Sequence, residues 1–413
     1  MPKMKHVLSL FDAVNVALGA IIGAGIFVII GIATSLSGPA VFLSVIIAGV
    51  VAAFTGVSTA ELAKKFPISG GAYTFASRAL SPSVGFVTGW VWLFSNLALG
   101  ATVSLGFGSY LAFFFPSIPV NLAAAAAVVV ATLIQLAGVR QSAGVNNVLV
   151  SIKVLILLVF IGCALFFFKP SNFVPLMPFG FGGVLAGAAA IFFAYSGFAR
   201  VAVIADEIKD PVKNVPRATL LSIAISTVLY IAVAVAAVGL AGYAVLAASD
   251  SPLSAALDSA GLGFGAALIG AGALVATGTV LLAAILGVSR VAQKMAEDRL
   301  LPAPLASIDK RLVPGNAIIL CGAAMVLLAL TTDLTPIAYI GSFSFILYYA
   351  ATNLSGIRVL GGTTRHMAVL GVVSCIVLMF SLPSYSWAVG AVVVVLGIAY
   401  YVAEKLLSLR RPS

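Results

Sequence analysis

Two cations stand where so apolar a chain has little reason to carry them. Lys153 lies inside the run SIKVLILLVF, and Arg200 follows the run FFAYSGFA. A charge at the centre of a membrane span costs about 2.5–3.5 kcal/mol on insertion scales, so each side chain demands a compensating role. Lys153 sits roughly 10–12 Å into its run at 1.5 Å per residue, a depth from which a lysine can also snorkel to the headgroups. The backbone supplies the other chemistry. Ala20-Ile21-Ile22-Gly23-Ala24-Gly25-Ile26-Phe27 lies in the middle of the first apolar run. Its two glycines each cost about 1 kcal/mol of helix stability relative to alanine, and in lipid an unwound backbone must find other partners. A second candidate break is Ala194-Tyr195-Ser196-Gly197-Phe198. Where a helix resumes, unpaired N–H groups form the positive end of a dipole and suit a carboxylate; where it stops, free carbonyls suit an ammonium. Two such breaks in corresponding places point to a zwitterion site in a transporter. Close helix packing through small residues is the structural alternative.

These residues need long apolar elements to position them, and the composition supplies them. The chain is 62% hydrophobic and 8% charged, with mean hydropathy +1.20, against about 25% charged residues in soluble domains. At about 20 residues per span, twelve segments are predicted. They run over 11–34, 40–62, 84–115, 119–138, 146–168, 184–205, 218–242, 262–289, 316–332, 336–357, 367–382 and 385–404. The breaks fall in the first and sixth. No room remains for a separate soluble domain, so 1–413 reads as a single membrane-embedded unit.

The net charge of +10 is a topology signal. With the N-terminus in the cytoplasm and twelve alternating spans, 19 of the 22 Lys and Arg fall on the cytoplasmic side. That asymmetry follows the positive-inside rule, gives cytoplasmic N- and C-termini, and predicts a multi-pass protein of the cell membrane. The basic residues are spread over separate loops, so the lipid bilayer rather than nucleic acid is the expected partner. The first apolar run is too long for a signal-peptide core and is expected to insert as a span itself. Cys163, Cys321 and Cys375 lie in three different segments, which argues against a disulfide framework or a metal site. With His6 and His366 near predicted ends, no cofactor is expected.

The loops carry sharper patterns. Glu61 to Gly89 reads ELAKKFPISGGAYTFASRALSPSVGFVTG, with Pro67 and the Gly70–Gly71 pair. Asp206 to Ala218 reads DEIKDPVKNVPRA, and Ser289 to Pro302 reads SRVAQKMAEDRLLP. Together with GAIIGAGIF and FFAYSGF, these runs resemble the amino acid–polyamine–organocation transporter family over segments one to ten. The resemblance implies an all-α polytopic fold of LeuT type. Two five-helix repeats of inverted topology, about 11–168 and 184–357, would be followed by extra helices at about 367–404. It also implies a site. The substrate carboxylate would meet the amides of Ala24 and Gly25, and the amine the carbonyls of Ile21, Phe193 and Ser196. Gly23 and Gly197 would allow close approach, and the Phe193 ring would close over the substrate. Some members carry a lysine on the fifth helix where sodium-coupled relatives bind an ion. Lys153 matches it, with Thr277 and Thr279 as possible neighbours, though a threonine more often satisfies its own helix. Burial penalises the charged form, which makes proton release from Lys153 a candidate coupling step.

Arg200 departs from the family pattern, as does Ala199, where several members carry an acid. A gate with Asp206, Glu207 or Asp12 is the expectation for Arg200, Glu207 lying near the same helical face; contact with an acidic substrate is the alternative. No Asp or Glu lies well inside a predicted span, so a cationic substrate lacks a buried counter-charge. The residues around the break suit a small or medium neutral side chain. The expected function is proton-coupled symport of neutral amino acids, with an exchanger or a non-transporting amino acid sensor as alternatives. A channel would need a continuous polar stripe, and an enzyme a catalytic cluster; neither pattern is present in the sequence.

Overall fold

The computed structural model describes residues 7–66, 71–138, 143–309, 311 and 313–410. His6, Pro67, Gly70 and the side chain of Asp206 lie outside the described residues. The chain starts with α1 (Leu10–Ile21), a π turn (Gly25–Ile29) and α2 (Ile30–Ser37), which together make the first span. Gly38, at φ 63°, reverses the chain through a short 3-10 turn into α3 (Val41–Lys65). Only a residue without Cβ adopts that conformation cheaply. The apolar stretch Leu10–Lys65 is thus two spans. Then come α4 (Ala72–Ala79), α5 (Pro82–Phe114), α6 (Val120–Leu136) and α7 (Ala143–Phe166). The sixth span is α8 (Gly180–Tyr195), a 3-10 turn and α9 (Arg200–Val203); the seventh is α10 (Pro211–Ala241). Two short helices, α11 (Tyr243–Ala247) and α12 (Pro252–Ser259), precede α13 (Gly263–Glu297). The last four spans are α14 (Gly315–Thr331), α15 (Leu334–Val359), α16 (Gly362–Ser381) and α17 (Ser384–Arg410).

Every predicted span is a helix, and several helices outrun their apolar segments. α10 starts at Pro211 rather than 218, with proline at its first turn, where a missing N–H costs nothing. α13 continues to Glu297 and carries the i,i+3 and i,i+4 ion pairs of Lys294 with Glu297 and Asp298. Such extensions lie beyond the apolar window, so hydropathy cannot find them. Helices α4, α11 and α12, of eight, five and eight residues, are too short to register in a search for spans of about 20 residues.

Helix contacts repeat after five spans. Span one touches five and seven, as six touches ten and two. Two meets ten as seven meets five; three meets ten as eight meets five; four meets eight as nine meets three. The pairs two–seven, three–eight and four–nine map onto themselves. Because five is odd, the second set enters the membrane from the opposite side, which is the inverted 5+5 arrangement of the LeuT type. α16 packs on α15 and α3, and α17 on α5 and α15, outside that core. The buried core centres on the first and sixth spans: Ile21 through Ala33 and Ala188 through Phe198 contribute many side chains with almost no exposure.

Candidate functional site

The first span breaks where the glycines predict. α1 closes at Ile21, Ile22 turns to an extended conformation (ψ 90°), and regular α geometry resumes only after the π turn. By helix geometry the leading N–H groups of the resumed segment, near Ala24 and Gly25, have no carbonyl four residues back in the same helix. The sixth span behaves differently. α8 stops at Tyr195, but Ser196–Ala199 tighten into a 3-10 turn, and the Ser196 N–H donates to the Phe193 carbonyl. The second interruption therefore frees less backbone than the first. Packing explains it: a Cβ on Gly197 would stand 2.6 Å from the backbone of Ala20 and Ile21, so the two interruptions press together with no gap to unwind into. Gly25 is likewise set against Ala194, and Gly23 against Val280, where an added Cβ would collide.

The carbonyls assigned to the substrate amine already have donors. Tyr230 on α10 donates its hydroxyl to the Ile21 carbonyl at 2.7 Å. Tyr349 on α15 does the same to Ser196 at 2.7 Å, and Tyr110 on α5 to Phe27 at 2.5 Å. All three tyrosines are fully buried, and a buried phenol requires such a partner. None was singled out from sequence, because a tyrosine in an apolar run gives no sign of which carbonyl it will meet. Phe193 is buried, crosses Phe345 edge-to-face at 5.9 Å, and fits over Gly341, whose Cβ would lie 2.8 Å from its ring.

Lys153 is 1% exposed and donates to the Gly19 carbonyl at 3.0 Å, bridging the fifth span to the last turn of α1. It faces the broken helix rather than snorkelling. Thr277 and Thr279 are on the eighth span, and their hydroxyls donate to their own helix, at Ala273 and Ala276. Arg200 reaches the eighth span as well, with Nη1 donating to the Ala283 carbonyl at 2.8 Å. It pairs with neither Asp12 nor Glu207 in this conformation. Asp12 instead closes a capping box with Ser9 and accepts from Asn147 Nδ2 at 2.8 Å. The Glu207 carbonyl receives the N–H groups of Val7 and Leu8, and Lys209 N–H donates back to Leu8. The segment before α1 is thus clipped to the connection after the sixth span.

A small cavity remains between the interruptions and Arg200, lined by Ala20, Trp92, Asn96, Ser196, Arg200 and Phe345 among others. Its volume is about 20 Å³, enough for one water and far below the roughly 300–1,000 Å³ of ligand pockets. The conformation is closed, with the Ile21, Phe193 and Ser196 carbonyls each already holding an internal donor.

Residues 12–408 match the amino acid permease family. The chain is 34% identical to the branched-chain amino acid permease BcaP of Bacillus subtilis (strain 168) over 328 residues, 75% of this chain and 70% of that one. It is 32% identical to the methylthioribose transporter of the same strain, over 96% of this chain and 93% of the relative. In structure it is similar to a manganese transporter of Eremococcus coleocola, at TM-score 0.64 and 13% identity over 98% of both chains.

Proposed function

Since the chain belongs to the amino acid permease family, we propose that it is a proton-coupled symporter of neutral amino acids working by alternating access. The carrying observation is the Lys153 ammonium on the Gly19 carbonyl, 3.0 Å away, at the end of the helix that breaks. Protonated, Lys153 ties the fifth span to α1; deprotonated, it loses the charge-assisted part of that bond, about half of its 1.5–3 kcal/mol. Proton release would thereby loosen α1, the element whose end also forms the amine subsite. The substrate carboxylate would take the amides of Ala24 and Gly25. Its ammonium would replace the tyrosine hydroxyls on Ile21 and Ser196 and meet the Phe193 carbonyl, with Gly23 and Gly197 permitting close approach. Neutral side chains are favoured by the apolar surroundings and by the lack of a carboxylate well inside the spans. Thr277 and Thr279 would have to turn from their own helix to serve an ion.

In this reading the two repeats span about 11–168 and 184–357, helices at about 367–404 are accessory, and both termini face the cytoplasm from the cell membrane. No enzymatic step and no cofactor are involved.

The test is uptake of labelled neutral amino acids into proteoliposomes in sodium-free buffer, with an imposed inward proton gradient. At one proton per substrate, each pH unit should support about tenfold accumulation, since one unit is 1.36 kcal/mol. Lys153→Ala should lose that accumulation. Uptake only into vesicles preloaded with amino acid would make the protein an exchanger, and binding without uptake a sensor.

A further inference from the structure

Arg200 belongs to neither the zwitterion site nor the coupling site, yet it lines the small cavity beside the two interruptions. Its Nη1 donates to the Ala283 carbonyl, and it passes beside Gly287, which Trp92 also approaches. A guanidinium has five donors and no acceptor, and one carbonyl meets one of them. Among the described residues no carboxylate forms an ion pair with it: the pairs present are Lys64–Glu61 and Lys294 with Glu297 and Asp298. Asp12 is engaged by Ser9 and Asn147. Lys153, the fully buried cation, is likewise held by a carbonyl, while Arg200 is only partly buried. The inner flank of the interruptions is therefore electropositive in a low-dielectric setting, where such charge attracts an anion strongly. The small cavity is lined by Ala20, Ser196 and Gly197, at the interruptions, and by Arg200 and Val203, so the guanidinium adjoins the broken backbone.

We propose that Arg200 is a second docking point for the substrate carboxylate, receiving it from the helix amides as the cytoplasmic path opens. The inference rests on the amino acid reading of the site. In the closed conformation the Ala283 carbonyl holds the guanidinium between the sixth and eighth spans. Parting those spans takes the carbonyl away, and a guanidinium left without an anion inside the membrane is costly. A carboxylate matches its planar fork with two parallel hydrogen bonds. Opening and carboxylate carriage are thereby linked.

KM for labelled L-leucine is measured at each face separately, in right-side-out and inside-out vesicles. Arg200→Gln should raise the cytoplasmic KM about tenfold, the equivalent of about 1.4 kcal/mol, and leave the external KM within about twofold. Arg200→Lys keeps the charge without the fork and should give a smaller rise, still confined to the cytoplasmic face. If Arg200→Gln does not fold, that sidedness in Arg200→Lys decides. An equal rise at both faces, or none, overturns the docking step while leaving the amino acid site standing. So does an Asp206→Asn variant with the same one-sided change, since Arg200 would then act through an ion pair. Absence of saturable leucine uptake by the wild type at either face overturns the amino acid reading and the docking step together.

Discussion

Gly197→Ala probes the contact on which the closed site depends. The added Cβ would lie 2.6 Å from the Ala20 carbonyl carbon and the Ile21 nitrogen, about 0.8 Å inside the 3.4 Å at which ordinary contact begins. The obstacle is backbone, so no rotamer change relieves it, and the first and sixth spans must part at their interruptions. Overpacking of this kind costs about 1–3 kcal/mol. The gain in local helix propensity returns at most about 1 kcal/mol. With backbone as the obstacle the overpacking cost falls in the upper part of its range, about 2–3 kcal/mol, and the net loss of about 1–2 kcal/mol shifts the closed packing by a factor of about 5–30. The same substitution at Gly162, inside α7 with nothing within 4 Å of its Cβ, meets no obstacle and should stabilise by about 0.5–1 kcal/mol. Thermal unfolding in detergent should therefore shift in opposite senses for the two variants, and initial uptake rates should separate them as well. Gly197→Ala melts lower and transports poorly, and Gly162→Ala melts at or above wild type with full transport. A Gly197→Ala protein that melts like wild type and transports normally would refute the close-contact reasoning.

Removing the hydroxyl in Tyr230→Phe leaves the buried Ile21 carbonyl without its donor, at a cost of about 1–3 kcal/mol, and should lower the melting temperature. If the substrate ammonium then satisfies that carbonyl, saturating substrate should restore more stability to the variant than to wild type in the same melt. Tyr349→Phe should behave in the same way at Ser196. Outside the membrane, burial and then the nearby Asp333 carboxylate hold Asp250 above the ordinary carboxylate range. The folded state then keeps this proton more readily than the unfolded chain, so the contribution to stability falls as pH rises from the ordinary carboxylate value through the raised one. Asp250→Asn should remove that slope from melting curves taken upward from about pH 4; an unchanged slope would assign it to other groups.

What the sequence determined by itself is whatever depends on local composition. Long apolar runs must span or be buried, so twelve segments could be read directly. Paired glycines weaken a helix wherever they stand, so the interruption at Gly23 and Gly25 was visible before any contact was known. Lys153 could be singled out because charge in an apolar run is costly regardless of fold. The partners were not legible, because they are set by residues distant in the chain. Tyr230 finds a carbonyl 209 positions away, Tyr349 one 153 away, and Arg200 one 83 away. Arg200 and Glu207 share a helical face by spacing, yet a 3-10 turn at Ala205–Glu207 ends that helix, and the guanidinium turns to the eighth span instead. The second interruption tightened rather than opened because Gly197 is pressed onto Ala20 and Ile21. Local sequence fixes where the backbone is weak. Only the packed bundle decides which donor, carbonyl or neighbouring helix fills each weakness, because in lipid every freed polar group must find its partner within the protein.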